Sequence, residues 1–322
     1  MNRRFGIHLL LLFVAALILI FSGNALAAAK RGNAVPKNML PAELKNAAVY
    51  DYFLESGEKG VATIAAKDGK VIVAKADLKQ AYFAAAGDKL FEKDVIFTLK
   101  KSRCKFQLVT EDLVSLGPQS RLIIKEVVDD RDNQSKSSSF GMAKGTAIFH
   151  TVSVSRYFKQ SMEAESPTAV SGVRGSKFGM EVKPAKGKSS AAMPPVIVAD
   201  ASGNGFLYLA YAKKEQDDSV TVVHGFEGKV EVKSKKDDSI QFLNPGQSIE
   251  ATIKGLSKIF DTPAKAIEQF MNNVDINLQK AAKEAEKSVK VVDEKVKDSE
   301  KKMEKHFDVF DKWGKDLEQK WK

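Results

Sequence analysis

Apolar side chains recur every second residue from about Val61 onward, and every third or fourth residue from about Pro263 onward. A period of two is that of half-buried strands, and a period of about 3.6 is that of an amphipathic helix. The chain therefore divides into a β region and a helical one. Val71-Ile72-Val73 follows the turn Lys67-Asp68-Gly69, a hairpin signal. Val95–Thr98, Lys105–Val109, Leu113–Leu116 and Arg121–Ile124 read as strands, with Gly117-Pro118 turning between the last two. Residues 129–139 (DDRDNQSKSSS) are polar and turn-rich and read as a solvated loop. Gly145–Phe149 and Thr151–Val154 resume the strand pattern. Phe206–Tyr211, Val220–Val223, Gly228–Val232 and Ile240–Leu243 close it, before the turn Asn244-Pro245-Gly246-Gln247.

Such strands recur about every 8 to 12 residues, the spacing of a sandwich, barrel or β-solenoid. Strands this short must stack to bury a face, so an all-β domain, β-solenoid or sandwich-like, is expected over residues 60–255. Residues 184–205, rich in Pro, Gly and Ser, begin a long excursion, an insertion over about 184–219. Residues 28–59 are mixed and read as a linker, with a helical turn at Met39–Leu44.

After Thr262-Pro263 the chemistry switches. Asp261 or Thr262 can cap a helix with Pro263 at its first position. A stripe through Ile267, Met271, Val274, Leu278, Ala281, Ala285, Val289, Val292 and Val296 continues to Trp321, with Lys, Glu and Asp on the other faces. Its mean step is about 3.6, so residues 261–322 are expected to form a long, coiled-coil-like helical tail, in one or two helices broken near Gly314. The stripe suits a helical partner or self-association into a homo-oligomer. Acids nearly match lysines there, so attraction to an anionic membrane is weak, although Trp313 and Trp321 keep a membrane surface open.

The first residues carry a targeting signal. Asn2-Arg3-Arg4 is basic, Ile7–Phe21 is an almost unbroken apolar run, and Ala25-Leu26-Ala27 fits a small-x-small cleavage site. Cleavage after Ala27, or an alanine or two later, makes 1–27 a signal peptide and the mature chain periplasmic. An uncleaved inner-membrane anchor is the alternative, although the apolar run is short of the roughly 20 residues that span a bilayer. No cysteine follows the run, which argues against a lipoprotein.

Composition narrows the chemistry. The formal charge is +10, but the lysines are scattered, and no recognition-helix or aromatic ribonucleoprotein pattern accompanies them, so no nucleic-acid partner is expected. Cys104 is the only cysteine, read as a small buried apolar side chain within a strand. Of the four histidines, His150 and His224 lie in the β region without a CxxC or HExxH pattern, so no metal is expected. Asp200–Gly205 begins like a calcium loop, but its twelfth position is Tyr211 and not Glu, so it reads as a turn. No P-loop, GxSxG or GxGxxG stands in a strand-helix context, and Asp129, Asp130 and Asp132 read as solvated. Neither cofactor nor catalytic residue is expected, and an envelope hydrolase or carbohydrate binder finds no support.

The most specific stretch is SPTAVSGVRGSKFGMEV, residues 166–182. With Ser166-Pro167-Thr168-Ala169 followed by Val173-Arg174-Gly175-Ser176-Lys177-Phe178, it resembles the Thr-Pro-x-Ala…Arg-Gly-Thr-x-Phe pattern of the FecR-domain family. Gly87–Leu90, Asp94–Thr98, Leu113–Gly117 and Ser120–Leu122 resemble the family's approach to this stretch. Gly225–Val232 and Leu243–Gln247 resemble its proline-glycine end, so the resemblance spans about residues 60–250. It marks Pro167, Gly172, Arg174, Gly175, Phe178, Pro245 and Gly246 as structural motif residues. Gly172 and Gly175 can take positive φ. Arg174 either donates to turn carbonyls left unpaired or clamps a carboxylate or phosphate, the first being the structural reading.

The resemblance implies a role in cell-surface signalling. The best-known members control a sigma factor through a cytoplasmic helical segment, whereas here only Met1–His8 would lie on that side. A non-catalytic periplasmic protein-binding or scaffold module, presenting a strand edge or loop to an envelope or membrane protein, is therefore expected. The alternative is a signalling component relaying ligand status to a membrane regulator.

Overall fold

The computed structural model describes residues 36–183 and 219–278, and the backbone of 196–199 and 205–210. The signal segment, most of the insertion with its Asp200–Asn204 turn, and the tail beyond Leu278 lie outside the described residues.

Two single-turn 3-10 helices, Lys37–Met39 and Ala42–Leu44, lead into β1 (Ala48–Tyr50). There follow β2 (Ala62–Asp68), β3 (Val71–Ala74), β4 (Gln80–Phe83), β5 (Lys89–Leu90), β6 (Val95–Thr98), β7 (Arg103–Leu108) and β8 (Leu113–Leu116). A long hairpin comes next, β9 (Arg121–Asp130) and the 16-residue β10 (Ser135–His150). Then come β11 (Lys159–Glu165), β12 (Ala169–Val173) and β13 (Lys177–Lys183), while β14 (Val196–Ala199) and β15 (Gly205–Ala210) pair only with each other. The chain continues through β16 (Val220–Glu227), β17 (Val230–Ser234), β18 (Ile240–Leu243), β19 (Gln247–Thr252), β20 (Gly255–Leu256), β21 (Phe260–Asp261) and α1 (Ala264–Val274).

The strands other than β14 and β15 form one continuous hydrogen-bonded network folded into two layers. The first layer runs β1-β4-β3-β6-β9-β10-β11-β12-β17-β18. The second runs β5-β2-β7-β8-β10-β13-β16-β19, with β20 and β21 both on β19. β10 belongs to both: Ser135–Lys144 pair in the first layer and Gly145–His150 in the second. Gly145 sits at the crossing with φ of 92°, and a Cβ there would lie 2.5 Å from the Ser120 Cα, so only glycine fits.

Among the described pairings only β1–β4 and β10–β11 are parallel. A β-solenoid would stack parallel strands coil upon coil; two mainly antiparallel layers over a shared core make a sandwich. One apolar cluster fills the interior with residues of both layers, among them Val73, Ile96 and Leu122 from the first and Ile64, Val114 and Phe178 from the second. A chain of rings crosses it: Phe106–Phe140, Phe140–Phe149 and Phe149–Phe178, with centroids 6.4, 5.6 and 4.9 Å apart. This is the all-β core that the period-two pattern predicts.

Strands β3 and β6 are buried at every position, without alternation. Their alternate residues (Ile72, Ala74, Val95, Phe97) join Ala81, Phe83 and Ile123 in a second cluster on the outer face of the first layer. Leu44 closes that cluster, with Leu40, Ala47 and Val49 packed against it. Residues within the span read as a linker thus cap a sheet face, pinned by an Arg121–Glu43 ion pair of 3.0 Å.

Two other expectations are corrected. Within the polar run 129–139, only residues 131–134 form a turn; Asp129 and Asp130 end β9, and Ser135–Ser139 begin β10. The helix begins where Thr262-Pro263 places it, but it stops at Val274, and Asp275 is extended. Arg103 donates to the carbonyls of Asn272 and Asp275, and Lys105 and Ser115 hold the Asp275 carboxylate against the sheet, so the backbone leaves the helical path there. A single long helix from residue 264 onward is not formed.

Candidate functional site

The stretch 166–182 divides into a buried turn, a strand, a second turn and another strand. Ser166-Pro167-Thr168 link β11 to β12 and are buried. The Ser166 hydroxyl accepts from the Ala169 amide at 2.9 Å and from the Thr221 hydroxyl at 2.8 Å. The Thr168 hydroxyl lies within hydrogen-bond distance of the Thr221 hydroxyl, at 2.7 Å, and of the Ala251 carbonyl, at 3.0 Å. These hydroxyls therefore tie a turn of the first layer to β16 and β19 of the second. Their burial is satisfied at every step, which is what makes a polar group tolerable there.

The motif residues play unequal parts. Phe178 is fully buried and stacks on Phe149. Gly172 lies within β12 in ordinary extended backbone, not at positive φ as expected. Gly175 does take φ of 84°, and a Cβ there would meet the Gln160 amide at 2.6 Å. Arg174 is exposed, and among the described residues it neither hydrogen-bonds a turn carbonyl nor forms an ion pair. Pro245 is exposed in the β18–β19 turn; Gly246 has φ of 84° and donates its amide to the Gly225 carbonyl at 2.9 Å.

The strongest polar constellation lies elsewhere. The Lys136 and Asp112 side chains are 0% and 1% exposed and 2.6 Å apart. The ammonium also donates to the carbonyls of Thr110 and Val152. The carboxylate accepts from the Thr110 hydroxyl and the Val152 amide. Every donor of the lysine is matched, so the pair locks the loop before β8, the start of β10 and the loop that follows β10 at Val152. Nearby, Tyr157 donates to Asp129 at 2.5 Å. Burial alone would raise the Asp129 carboxyl, but bonds from Tyr157 and Arg131 hold it below the usual range. Glu165 is handled likewise: burial opposes ionisation, and hydrogen bonds from Lys125 and Lys235 outweigh it.

On the outer face of the second layer, a cross-strand row runs Lys105, Ser115, Ile148, Gly179, His224, Ser248. Six strands at about 4.8 Å spacing span roughly 24 Å. Thr262 to Asp275, at about 1.5 Å per helical residue, spans roughly 20 Å. The segment lies along this row. Thr262 bonds Ser248 at one end, Phe270 lies 5.0 Å from the His224 ring, and Asp275 reaches Lys105 and Ser115 at 2.9 and 2.6 Å. Gly179 makes room, since a Cβ there would approach Phe226 at 2.7 Å and Phe270 at 2.8 Å.

At the Asp275 end, Lys105, Ser115, His150, Lys177 and Asp275 line a recess of about 20 Å³. That is space for about one water molecule. Burial, reinforced by Lys177, pushes the His150 imidazole below its usual range, and burial does the same to His224. His224 bonds Ser248 through Nδ1 at 2.7 Å, and Ser248 bonds Thr262, so the hydroxyl faces another hydroxyl rather than a carboxylate-backed base. Cys104 is fully buried, and burial pushes its thiol up to about 12, the setting of an inert core side chain. Among the described residues no group of three His, Cys, Asp or Glu side chains could hold a metal ion.

One surface has no partner of this kind. β18 is an edge strand that pairs only with β17 among the described strands. Its outward residues Ile240 and Phe242 are 48% and 45% exposed, with Lys229 lying 4.3 Å over the Phe242 ring. No residue of the strand is charged. Sequence reading missed Lys136, which sits in a polar run, and Asp275, which sits in a helical stripe. The uncharged β18 strand itself was legible as Ile240–Leu243, but its edge position was not.

Residues 94–199 match the FecR protein family. No curated protein matches the sequence. Two solved structures of a proposed anti-sigma factor from Parabacteroides distasonis ATCC 8503, at 1.65 and 2.50 Å, are similar at 14% identity, with TM-scores of 0.36 and 0.35. Each match covers 55% of this chain, and 64% and 63% of theirs, so this chain spans less than two thirds of those relatives. The family match runs from the entry to β6 through β14, across the buried Lys136–Asp112 pair and the Ser166–Val182 stretch, and over that span the chain is similar to the FecR family.

Proposed function

We propose that the chain is an exported, non-catalytic FecR-domain protein that acts as a periplasmic protein-binding or scaffold module. One observation carries this: the strongest polar groups of the β domain are spent on one another, whereas the β18 edge leaves Ile240 and Phe242 outward beside a row of backbone groups that pair with no other strand among the described residues. An edge of that kind accepts an added strand, with main-chain hydrogen bonds supplying affinity and alternate side chains supplying specificity. The basic and apolar start at Asn2–Ala27 supports export. The FecR match favours a second reading, in which the same edge relays ligand status to a membrane regulator.

Crosslinking in intact cells with mass-spectrometric identification tests both, using the full chain, a Phe242→Lys variant, and a truncation after Ile276. The cut is placed there because α1 and Ile276 pack on the β domain. Capture of one envelope protein that survives truncation and is lost in the variant supports the edge reading. If that protein is a membrane regulator, the signalling form is favoured. Capture that is lost on truncation and kept in the variant overturns the edge reading and moves the partner surface to residues 277–322.

A further inference from the structure

The 262–276 segment is seated by few contacts for its length. Of α1 only Val274 is buried, its N-terminus has no side-chain cap, and an isolated helix of 11 residues is marginal in water. Its seat is held at two points. At the far end the Asp275 carboxylate meets Lys105 and Ser115, and Arg103 caps the last carbonyls. At the near end the Thr262 amide donates to the Gly246 carbonyl at 2.8 Å and Phe226 meets Phe270 at 5.8 Å, and His224 sits between these contacts. Phe270 of α1 lies on one side of the imidazole, and Phe226 stacks parallel to it at 6.3 Å. Its Nδ1 is bonded to Ser248, which is bonded in turn to Thr262, the residue two before the helix. One imidazole thus touches the segment both through a ring and through a hydroxyl relay.

We propose that the 262–276 segment is an acid-releasable strap, seated across the second layer while His224 is neutral and freed when His224 takes a proton. Protonation would create an imidazolium between two phenyl rings, where among the described residues no carboxylate bonds it. The charged groups that bear on it are Glu181 and Lys183 of β13, and these are already paired with each other at 2.8 Å. β19 offers only Ser248, and α1 offers the Phe270 ring. Burial holds the seated imidazole below its ordinary value near 6.5. The sign follows. Below that value the freed segment leaves His224 able to bind a proton that the seated state refuses, so seating weakens as pH falls and the loss is complete below the seated value. Histidine is the side chain whose ordinary titration falls where such a switch would be useful.

Release would do two things. It would uncover Gly179, His224 and Phe226 on the second layer. It would also turn 15 seated residues into tether before residue 277, with a reach of up to about 50 Å at roughly 3.3–3.6 Å per residue.

Hydrogen exchange of the full-length chain tests this at about pH 7.5 and about pH 5, with rates corrected for their intrinsic pH dependence. The expected result is a several-fold loss of protection in residues 264–275 at the lower pH, with β3 and β6 unchanged. His224→Gln, which keeps a hydrogen bond to Ser248 but cannot charge, abolishes the loss, and His150→Gln does not. A proton-NMR titration of His224 supplies the reciprocal reading without altering that residue: Phe270→Ala raises its midpoint toward the ordinary value. Protection of α1 that stays constant, that falls in step with the strands, or that loses its pH response in His150→Gln alone overturns the strap, as does an unmoved His224 midpoint in Phe270→Ala.

Discussion

A lysine ammonium with no exposure survives only because three oxygens, the Asp112 carboxylate and the carbonyls of Thr110 and Val152, accept its protons, and removal of one partner of the Lys136–Asp112 pair leaves the other charged and buried. Lys136→Met is expected to cost about 3–5 kcal/mol in denaturant unfolding, and Asp112→Asn a comparable amount. Arg174→Ala is expected to stay within about 0.5 kcal/mol, because the side chain is exposed and unpaired among the described residues. A cost for Arg174→Ala near that of Lys136→Met would restore the motif arginine as a structural keystone. Gly145→Ala is expected to cost about 2 kcal/mol or more, since positive φ and a backbone neighbour at 2.5 Å oppose a Cβ together. Residue types marked the motif but not the unequal parts its residues play. The SPTA hydroxyls are its working part, and their partners Thr221 and Ala251 lie more than 50 residues away, a distance no local pattern reports.

Period-two alternation announced the strands, and it failed where both faces are covered. β3 and β6 read as short apolar runs because residues 36–50 seal the outer face, and nothing in the local polarity of that segment marks it as a lid on a sheet. Helical periodicity likewise found α1 and missed its end. The stripe continues past Val274, yet Asp275 gains more from Lys105 and Ser115 than from another helical turn. Burial by itself would raise the Asp275 carboxyl; the bonds from Ser115 and Lys105 outweigh it and hold the group below 3.8. A depressed carboxyl contributes stability above its unfolded value and loses it as pH falls through the folded one. Asp275→Asn is therefore expected to destabilise the chain by about 1 kcal/mol at neutral pH, a partly exposed pair being discounted for screening. The difference from the unsubstituted chain should shrink as pH falls past the ordinary carboxylate value and vanish below the folded one. Parallel melting curves at four pH values check this, and a difference that persists in acid would mean that the carboxylate charge does not hold the end of α1.

Two layers joined through one crossing strand give a molecule whose topology depends on pairings far apart in sequence, β12 with β17 and β13 with β16. These flank the insertion, which is why strand type was legible and the layer assignment was not: loop closure across such spans leaves no periodic trace. The register makes the insertion's structural role testable. Lys183 pairs directly with Val220 in an antiparallel ladder, so residues 184–219 connect two neighbouring strands that a two-residue turn could join. Replacement of 184–219 by Asn-Gly is expected to preserve the sandwich and to raise its unfolding free energy by up to about 2.5 kcal/mol, because closure cost falls by about 0.6 kcal/mol per halving of the loop and the replacement halves it about four times. The same variant separates structure from function. If it folds and still captures the envelope partner, the insertion is dispensable to both, and the β18 edge with Ile240 and Phe242 remains the surface to which binding is assigned. If it folds and loses capture, the insertion carries the specificity and the edge reading falls. A variant that fails to fold would show that β13 and β16 need the insertion to find their register, which the ladder from Lys177 to Lys183 argues against.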